Sequence, residues 1–216
     1  MSLKRRVLHR VVTQFGRPHG WGGYLAGWVM GHRASNRERN RWVVSLLHVQ
    51  PTDRILEIGF GPGVAVEALS RLATDGIVYG IDHSAVMVHQ ASRRNRVAVG
   101  EGRVELRMAS ADDLPVFDRP LDTVLAVNSM GFWSDPVSCL EEVRRQLRPG
   151  GHIAIGSQPR CPGANSETSR QAAREITAAL AAAGFIVTRA EMLPLVPPVA
   201  CVLAIKGRDD EPVPSK

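Results

Sequence analysis

RILEIGFGPG, residues 54–63, joins a short apolar run to glycines at Gly59, Gly61 and Gly63, and this junction decides the fold. Ile55, Leu56 and Ile58 suit a buried strand, and the glycines allow the left-handed turns that lead from a strand into a helix. Such a turn also leaves bare backbone N–H groups at a helix mouth, where a polar ligand group can approach. Working downstream, the pattern repeats: helices are expected near 63–73, 84–97 and 136–147, and strands near 77–81, 103–108, 121–127 and 152–156. Short apolar runs alternating with helical stretches signal a parallel, doubly wound α/β sheet. Asp135 and Pro136 supply an N-cap and a first-turn proline for the helix at 136–147. After the polar stretch CPGANSETS (161–169), a helix near 168–183 leads to strands near 185–192 and 199–206. The joint between them, LPLVPP, is too short for a parallel crossover, so they should form an antiparallel hairpin on a seven-stranded sheet.

Upstream, residues 3–15 place Leu3, Val7, Leu8, Val11, Val12 and Phe15 at helical spacing with basic residues between them, an amphipathic helix. The segment Pro18–His32 has no charged residue and contains five glycines among Trp21, Tyr24 and Trp28, a composition that suits a lid or pocket wall. Ser35-x-x-Glu38 reads as a capping box for a helix to about Val49, stopped by Pro51. The expected organisation is an N-terminal helical lid or extension at 1–50, one domain at 51–207 and a flexible tail at 208–216.

Charge follows the same division. The net +6 splits into +8 over residues 1–41, where Glu38 is the first acid, and −2 over the remaining 175 residues. A basic end on a near-neutral body points to a local anionic surface or ligand, peripheral membrane contact included, rather than to nucleic acid along the whole chain. The uncharged stretch Pro18–His32 is fifteen residues, too short to span a bilayer as a helix. Cys139, Cys161 and Cys201 show neither a disulfide nor a zinc rhythm, and His9 and Arg10 interrupt a secretory core, so a cytoplasmic protein without a metal site is expected.

The glycine turn is not a dinucleotide fingerprint. G-x-G-x-x-G would require glycine at 64 or 66, and both are valine. Asp82, 23 residues beyond Gly59 at the end of the second expected strand, can accept hydrogen bonds from ribose hydroxyls. Together these residues point to an adenosine-containing ligand without a pyrophosphate.

The ordered pieces ILEIGFGPG, YGIDHS, SADDLP, LAVNSMGFW and EVRRQLRPGGHIAI resemble the motif series of class I S-adenosylmethionine-dependent methyltransferases over about residues 52–206. The resemblance implies a Rossmann-like, mostly parallel sheet and S-adenosylmethionine as cofactor, with S-adenosylhomocysteine as product. It implies that Glu57, Gly59, Gly61 and Gly63 hold the methionine portion and Asp82 the ribose. His83, Ser110, Ala111 and Asp112 would flank adenine, with Ser110-Ala111 replacing the family's usual acid-Ala pair. Asn128 and Ser129 would face the transferred methyl group.

Because a sulfonium activates its own methyl group, the protein mainly has to align the acceptor and exclude water. His19 and His32 are candidate bases for an acceptor that must lose a proton. Without a separate substrate domain, a small and lipophilic acceptor is expected, walled by Trp21, Tyr24, Trp28, Phe132 and Trp133. Asn128-Ser129-Met130-Gly131 is not the Asn/Asp-Pro-Pro-aromatic signature of base methylation, which argues against a nucleic-acid acceptor. A nucleic-acid methyltransferase or binding module would bind phosphates through the basic end with steep salt dependence. A catalytically silent binding protein would keep the glycine turn and turn over no acceptor.

Overall fold

The computed structural model describes residues 34–207. The amphipathic stretch 3–15, the glycine-rich segment with Trp21, Tyr24, Trp28, His19 and His32, and the tail 208–216 lie outside the described residues.

The first described element is helix α1 (Ala34–Ser45), followed by β1 (Arg54–Ile58), α2 (Val64–Leu72), β2 (Ile77–Asp82), α3 (Ala85–Arg94), α4 (Arg96–Gly100) and β3 (Val104–Met108). After a long connection come β4 (Leu121–Val127), α5 (Pro136–Gln146), β5 (Leu147–Ser157), α6 (Ser166–Ala182), β6 (Phe185–Leu193) and β7 (Val199–Lys206). The seven strands form one sheet in the order β3-β2-β1-β4-β5-β7-β6. Pairings from β3 through β5 are parallel, while β7 runs antiparallel between β5 and β6, as the short joint requires.

Alternation along each strand sends successive side chains to opposite faces. On one face Leu56, Val124 and Ile153 pack beneath Leu140 of α5 and Ile176 and Leu180 of α6. On the other, Ile55, Val78 and Leu125 pack beneath Val43 of α1, Leu69 of α2 and Met87 of α3. With both faces covered, the inner strands read as nearly unbroken apolar runs.

Four local expectations need correction. Ser35 is not a cap: helical structure already includes Ala34, so Ser35 lies inside the helix. The helix also stops at Ser45, because Leu46 and Leu47 turn back to the carbonyls of Val43 and Val44 and His48 takes φ +49°, which no helix continues through. The single helix expected over 84–97 is divided at Asn95, whose amide donates to the carbonyls of Ala91 (2.9 Å) and Gly63 (3.2 Å) and pins the chain across to the glycine turn. The strand expected at 152–156 is longer, since the turn Arg148–Gly151 is absorbed into β5 with a shift of register opposite Leu121 and Thr123. Asp135 caps α5 as expected, accepting from the amides of Val137 (3.1 Å) and Ser138 (3.3 Å).

Candidate active site

The sheet order reverses direction between β1 and β4. In a doubly wound sheet this reversal opens a crevice beyond the carboxyl ends of the strands. A cavity of about 740 Å³ lies there, bordered by Glu57, Gly59, Gly61, Asp82, His83, Ser110, Ala111, Asp112 and Asn128, and by Phe132 and Trp133. Gly63 does not border it; it sits at the N-cap of α2 with φ +76°, where a Cβ would meet Asn95 and Ala91 at less than 3 Å.

Two of the glycines are needed for different reasons. Gly59 has φ +77°, and a Cβ there would come 2.3 Å from the Cβ of Ser129, so the ends of β1 and β4 can approach only without a side chain. Ser129 closes this contact by donating from Oγ to the Ile58 carbonyl at 2.6 Å. Gly61, with φ +53°, faces open space and presents bare backbone. Its N–H donates to Asp82 Oδ2 at 2.9 Å, and the Ser84 N–H donates to Oδ1 at 2.9 Å. Asp82 thereby ties the turn after β1 to the start of α3, and the hydroxyl of Ser84, the N-cap residue, makes no capping bond. Burial raises the Asp82 carboxyl above its ordinary range, the two amides pull it back, and His83 Nδ1 stands 3.8 Å away.

Glu57 is 2% exposed. Burial pushes its carboxyl up to about 8, with the Val66 amide opposing and Asp82 adding to the shift. Its Oε2 has no partner among the described residues, and neither has Asn128 Nδ2. Asn128 adopts φ +55°, a left-handed conformation that Asn tolerates better than most residues. Its Oδ1 accepts from the Gln158 N–H at 2.6 Å, and its own N–H donates to Gly156 at 2.8 Å.

After β3, Asp112 borders the cavity, but its carboxylate is already engaged. It accepts from the Ser134 amide (2.8 Å), the Ser134 hydroxyl (3.0 Å) and the Cys139 thiol (3.3 Å), clasping the loop after β4. These bonds hold its carboxyl below the ordinary range, and burial with Asp112 nearby pushes the Cys139 thiol up to about 12, far from a reactive thiolate. Of the expected aromatic wall, Phe132 is 55% exposed at the rim, whereas Trp133, 8% exposed, belongs as much to the core as to the cavity.

Sequence reading missed a polar group on α1. Asn36, Arg39 and Asn40 are buried and border the cavity together with Gln158 and Arg160. Arg39 Nη1 donates to Gln158 Oε1 at 2.7 Å, Nη2 donates to Asn36 Oδ1, and Asn40 Nδ2 donates to the Asn36 carbonyl at 2.7 Å. A signal was present: the stripe Leu47, Val44, Val43 continued upstream at helical spacing lands on Asn40, Arg39 and Asn36.

Comparison with known proteins identifies this architecture. A model described as a methyltransferase domain matches residues 56–155. An uncharacterized methyltransferase of Bacillus subtilis (strain 168), YdaC, is 34% identical over 161 residues, covering 74% of this chain and 86% of the relative. The chain belongs to the class I S-adenosylmethionine-dependent methyltransferases. The ubiquinone/menaquinone biosynthesis C-methyltransferase UbiE of Geotalea daltonii is 29% identical over 121 residues, 56% of this chain and 52% of that protein. The fold is shared with a SAM-dependent methyltransferase from Aquifex aeolicus, at a TM-score of 0.68 and 24% identity, covering 80% of this chain and 93% of that one.

The methyltransferase uses S-adenosylmethionine, and its residues fit that group. Bare backbone at Gly61 admits a ligand, Asp82 offers a fixed acceptor, and Glu57 and Asn128 border the cavity with a polar atom each that has no partner among the described residues. Among the described residues, no helix is long and apolar enough to cross a membrane.

Proposed function

We propose that this methyltransferase acts on a small, lipophilic molecule. The observation that carries the reading is a cavity with its polar fixtures at the ends of β1 and β2 and with apolar side chains from the loop after β4, Phe132 at its rim and Trp133 behind it. The name of the similar quinone C-methyltransferase, itself acting in ubiquinone and menaquinone biosynthesis, supports an acceptor of this kind.

When bound, S-adenosylmethionine supplies a methyl group activated by its sulfonium. In this reading Asp82 accepts from the ribose hydroxyls, and its amide bonds keep the carboxylate from turning away. His83, Ser110 and Ala111 line the adenine end, with Asp112 holding that loop against Ser134. Glu57 faces the cationic methionine portion, whose charge favours its ionised form. Asn128, locked by Gln158 and Gly156, sets the wall near the methyl group, so that alignment and water exclusion supply most of the catalysis. His19 and His32 stay as candidate bases, and Trp21, Tyr24 and Trp28 as candidate contacts on the acceptor; the lid role of residues 1–50 belongs to the same proposal.

The test has two stages. Calorimetry of the full chain with S-adenosylmethionine, S-adenosylhomocysteine and NADH should show micromolar binding of the first two alone, lost in Asp82→Ala. Radiolabelled methyl transfer to a panel of quinols, phenols and fatty acids should then put label in an organic extract. Label only in water-soluble products would overturn the lipophilic assignment.

A further inference from the structure

Arg39 is charged, deeply buried and, among the described residues, without a counter-ion. It is 4% exposed, and its bonding partners are the neutral carbonyl oxygens of Gln158 and Asn36. A guanidinium has five donors, so these bonds leave three, and Nε has no partner among the described residues. Burial and the neighbouring Arg160 lower the guanidinium to about 9, which leaves it a cation at neutral pH. Burying an unpaired charge is costly, and a buried cation ordinarily has a carboxylate.

The segment that precedes α1 in the sequence brings no carboxylate of its own. Residues 1–33 contain no Asp or Glu at all. Meanwhile the guanidinium is built in place: Gln158 Nε2 donates to the Pro197 carbonyl at 2.8 Å, and the Gln158 backbone N–H donates to Asn128. Arg39 therefore borders the cavity as a rigid fork with donors to spare, two strands beyond the glycine turn in the sheet order.

The cavity is thus bipolar. Glu57 and Asp82 make an acidic pole over β1 and β2, and Arg39 with Arg160 makes a basic pole toward β5. We propose that Arg39, oriented by Gln158 and Asn36, is a carboxylate-binding group of this cavity. The carboxylate comes either from the amino-acid end of the cofactor or from an acidic acceptor; planar two-point recognition of this kind is what a guanidinium provides and an ammonium does not. The assignment rests on the cofactor site described above and adds a ligand group to it.

The experiment crosses variants with ligands by calorimetry on the full chain. S-adenosylhomocysteine is compared with its decarboxylated analogue, S-adenosyl-3-thiopropylamine, on the unaltered protein and on Arg39→Met. Benzoate and succinate are titrated into each protein after saturation with S-adenosylhomocysteine. If the cofactor supplies the carboxylate, Arg39→Met weakens S-adenosylhomocysteine by about tenfold to a hundredfold and the analogue by less than about twofold. If the acceptor supplies it, both nucleosides bind unchanged, and benzoate or succinate binds the unaltered protein but not Arg39→Met. Equal effects on every ligand, or none on any, overturn the assignment. Should Arg39→Met fail to fold, Arg39→Lys keeps the charge and loses the fork, and should weaken the carboxylate ligand alone by about threefold to tenfold. Binding of neither nucleoside to the unaltered protein would instead overturn the cofactor site on which the assignment rests.

Discussion

The two edges of the same parallel sheet handle polar groups in opposite ways. At the edge where the strands begin, the acids are answered from within. Asp122 accepts from the Arg54 N–H at 2.9 Å and pairs with Arg148, Asp118 pairs with Arg54, and Asp53 accepts from the Gln50 N–H at 2.9 Å. At the edge where the strands end, Glu57, Asn128 and Arg39 each keep a buried polar atom without a partner among the described residues, against Arg54 Nε at the first edge, and Gly59, Gly61 and Asn128 hold left-handed backbone around the cavity. The first edge spends most of its charges on the fold, whereas the second frames a cavity in which a ligand can meet left-handed backbone and unmet hydrogen bonds. Substitutions at the first edge should therefore cost stability and leave affinity alone, whereas those at the second should show up mainly in binding.

Gly59→Ala breaks this division most severely, because it damages both. A Cβ 2.3 Å from Ser129 forces β1 and β4 apart in a conformation that L-residues avoid. Left-handed backbone costs about 1–2 kcal/mol and overpacking about 1–3, so a loss of about 2–5 kcal/mol is expected in urea denaturation, with cofactor binding lost as well. Gly61→Ala, with open space around its Cβ, should cost only the backbone part, and the difference between the two variants measures the clash.

The pH dependence of stability separates the edges next. With its carboxyl pushed by burial to about 8, against an ordinary 4.5, Glu57 binds more protons in the folded state than in the unfolded one between those limits. Stability then falls as pH rises from about 4.5 to about 8, on the order of a few kcal/mol over the whole window, and is flat beyond it. Asp82, also raised by burial, contributes in the same direction. Glu57→Gln should flatten most of the fall between pH 5.5 and pH 8 in denaturant titrations while weakening cofactor binding. An unchanged slope in the variant would assign the titration to another group.

Much of this contrast could be read from the order of residues, and the part that could not has a physical reason. The alternation of apolar runs and helical stretches, the short LPLVPP joint and the Asp135–Pro136 cap are local signals, and the seven strands follow them. Glu57, Gly59, Gly61, Asp82 and Asn128 sit at strand ends, where position along the chain translates directly into position on the edge. Arg39 and Gln158 are 119 residues apart, and nothing local to either announces the bond between them. The engagement of Asp112 with Ser134 and Cys139 was hidden for the same reason, since it depends on where the loop after β4 lands. The break at Asn95 was missed because helical periodicity says nothing about a side chain that reaches across to Gly63.

Asp82→Ala comes third in size. On the proposed ribose contact it removes the acceptor of two charge-assisted bonds, so S-adenosylhomocysteine should bind about a hundredfold more weakly by calorimetry. The Gly61 and Ser84 amides lose their acceptor, a cost offset in part because burial had already made the charge unfavourable, so the ligand-free protein should lose about 1–2 kcal/mol, no more than a first-edge variant. A large loss of stability would move Asp82 into the company of the self-satisfied acids at the opposite edge.

The smallest effect belongs to that opposite edge. Asp122→Ala removes the acceptor for the Arg54 N–H and the partner of Arg148, whose side chain is 45% exposed and solvated when released. Solvent screens the ion pair, so most of the cost comes from the backbone N–H left without its bond, about 1–2 kcal/mol in denaturant titration. Affinity for S-adenosylhomocysteine should not change, because Asp122 pairs through Arg54 and Arg148 at the beginning of the strands, a full strand length from the glycine turn. A measurable loss of affinity in Asp122→Ala would mean that the entry edge holds the register of β4 against β1, and with it the placement of Asn128 and Ser129. The two edges would then be coupled through the strands that join them.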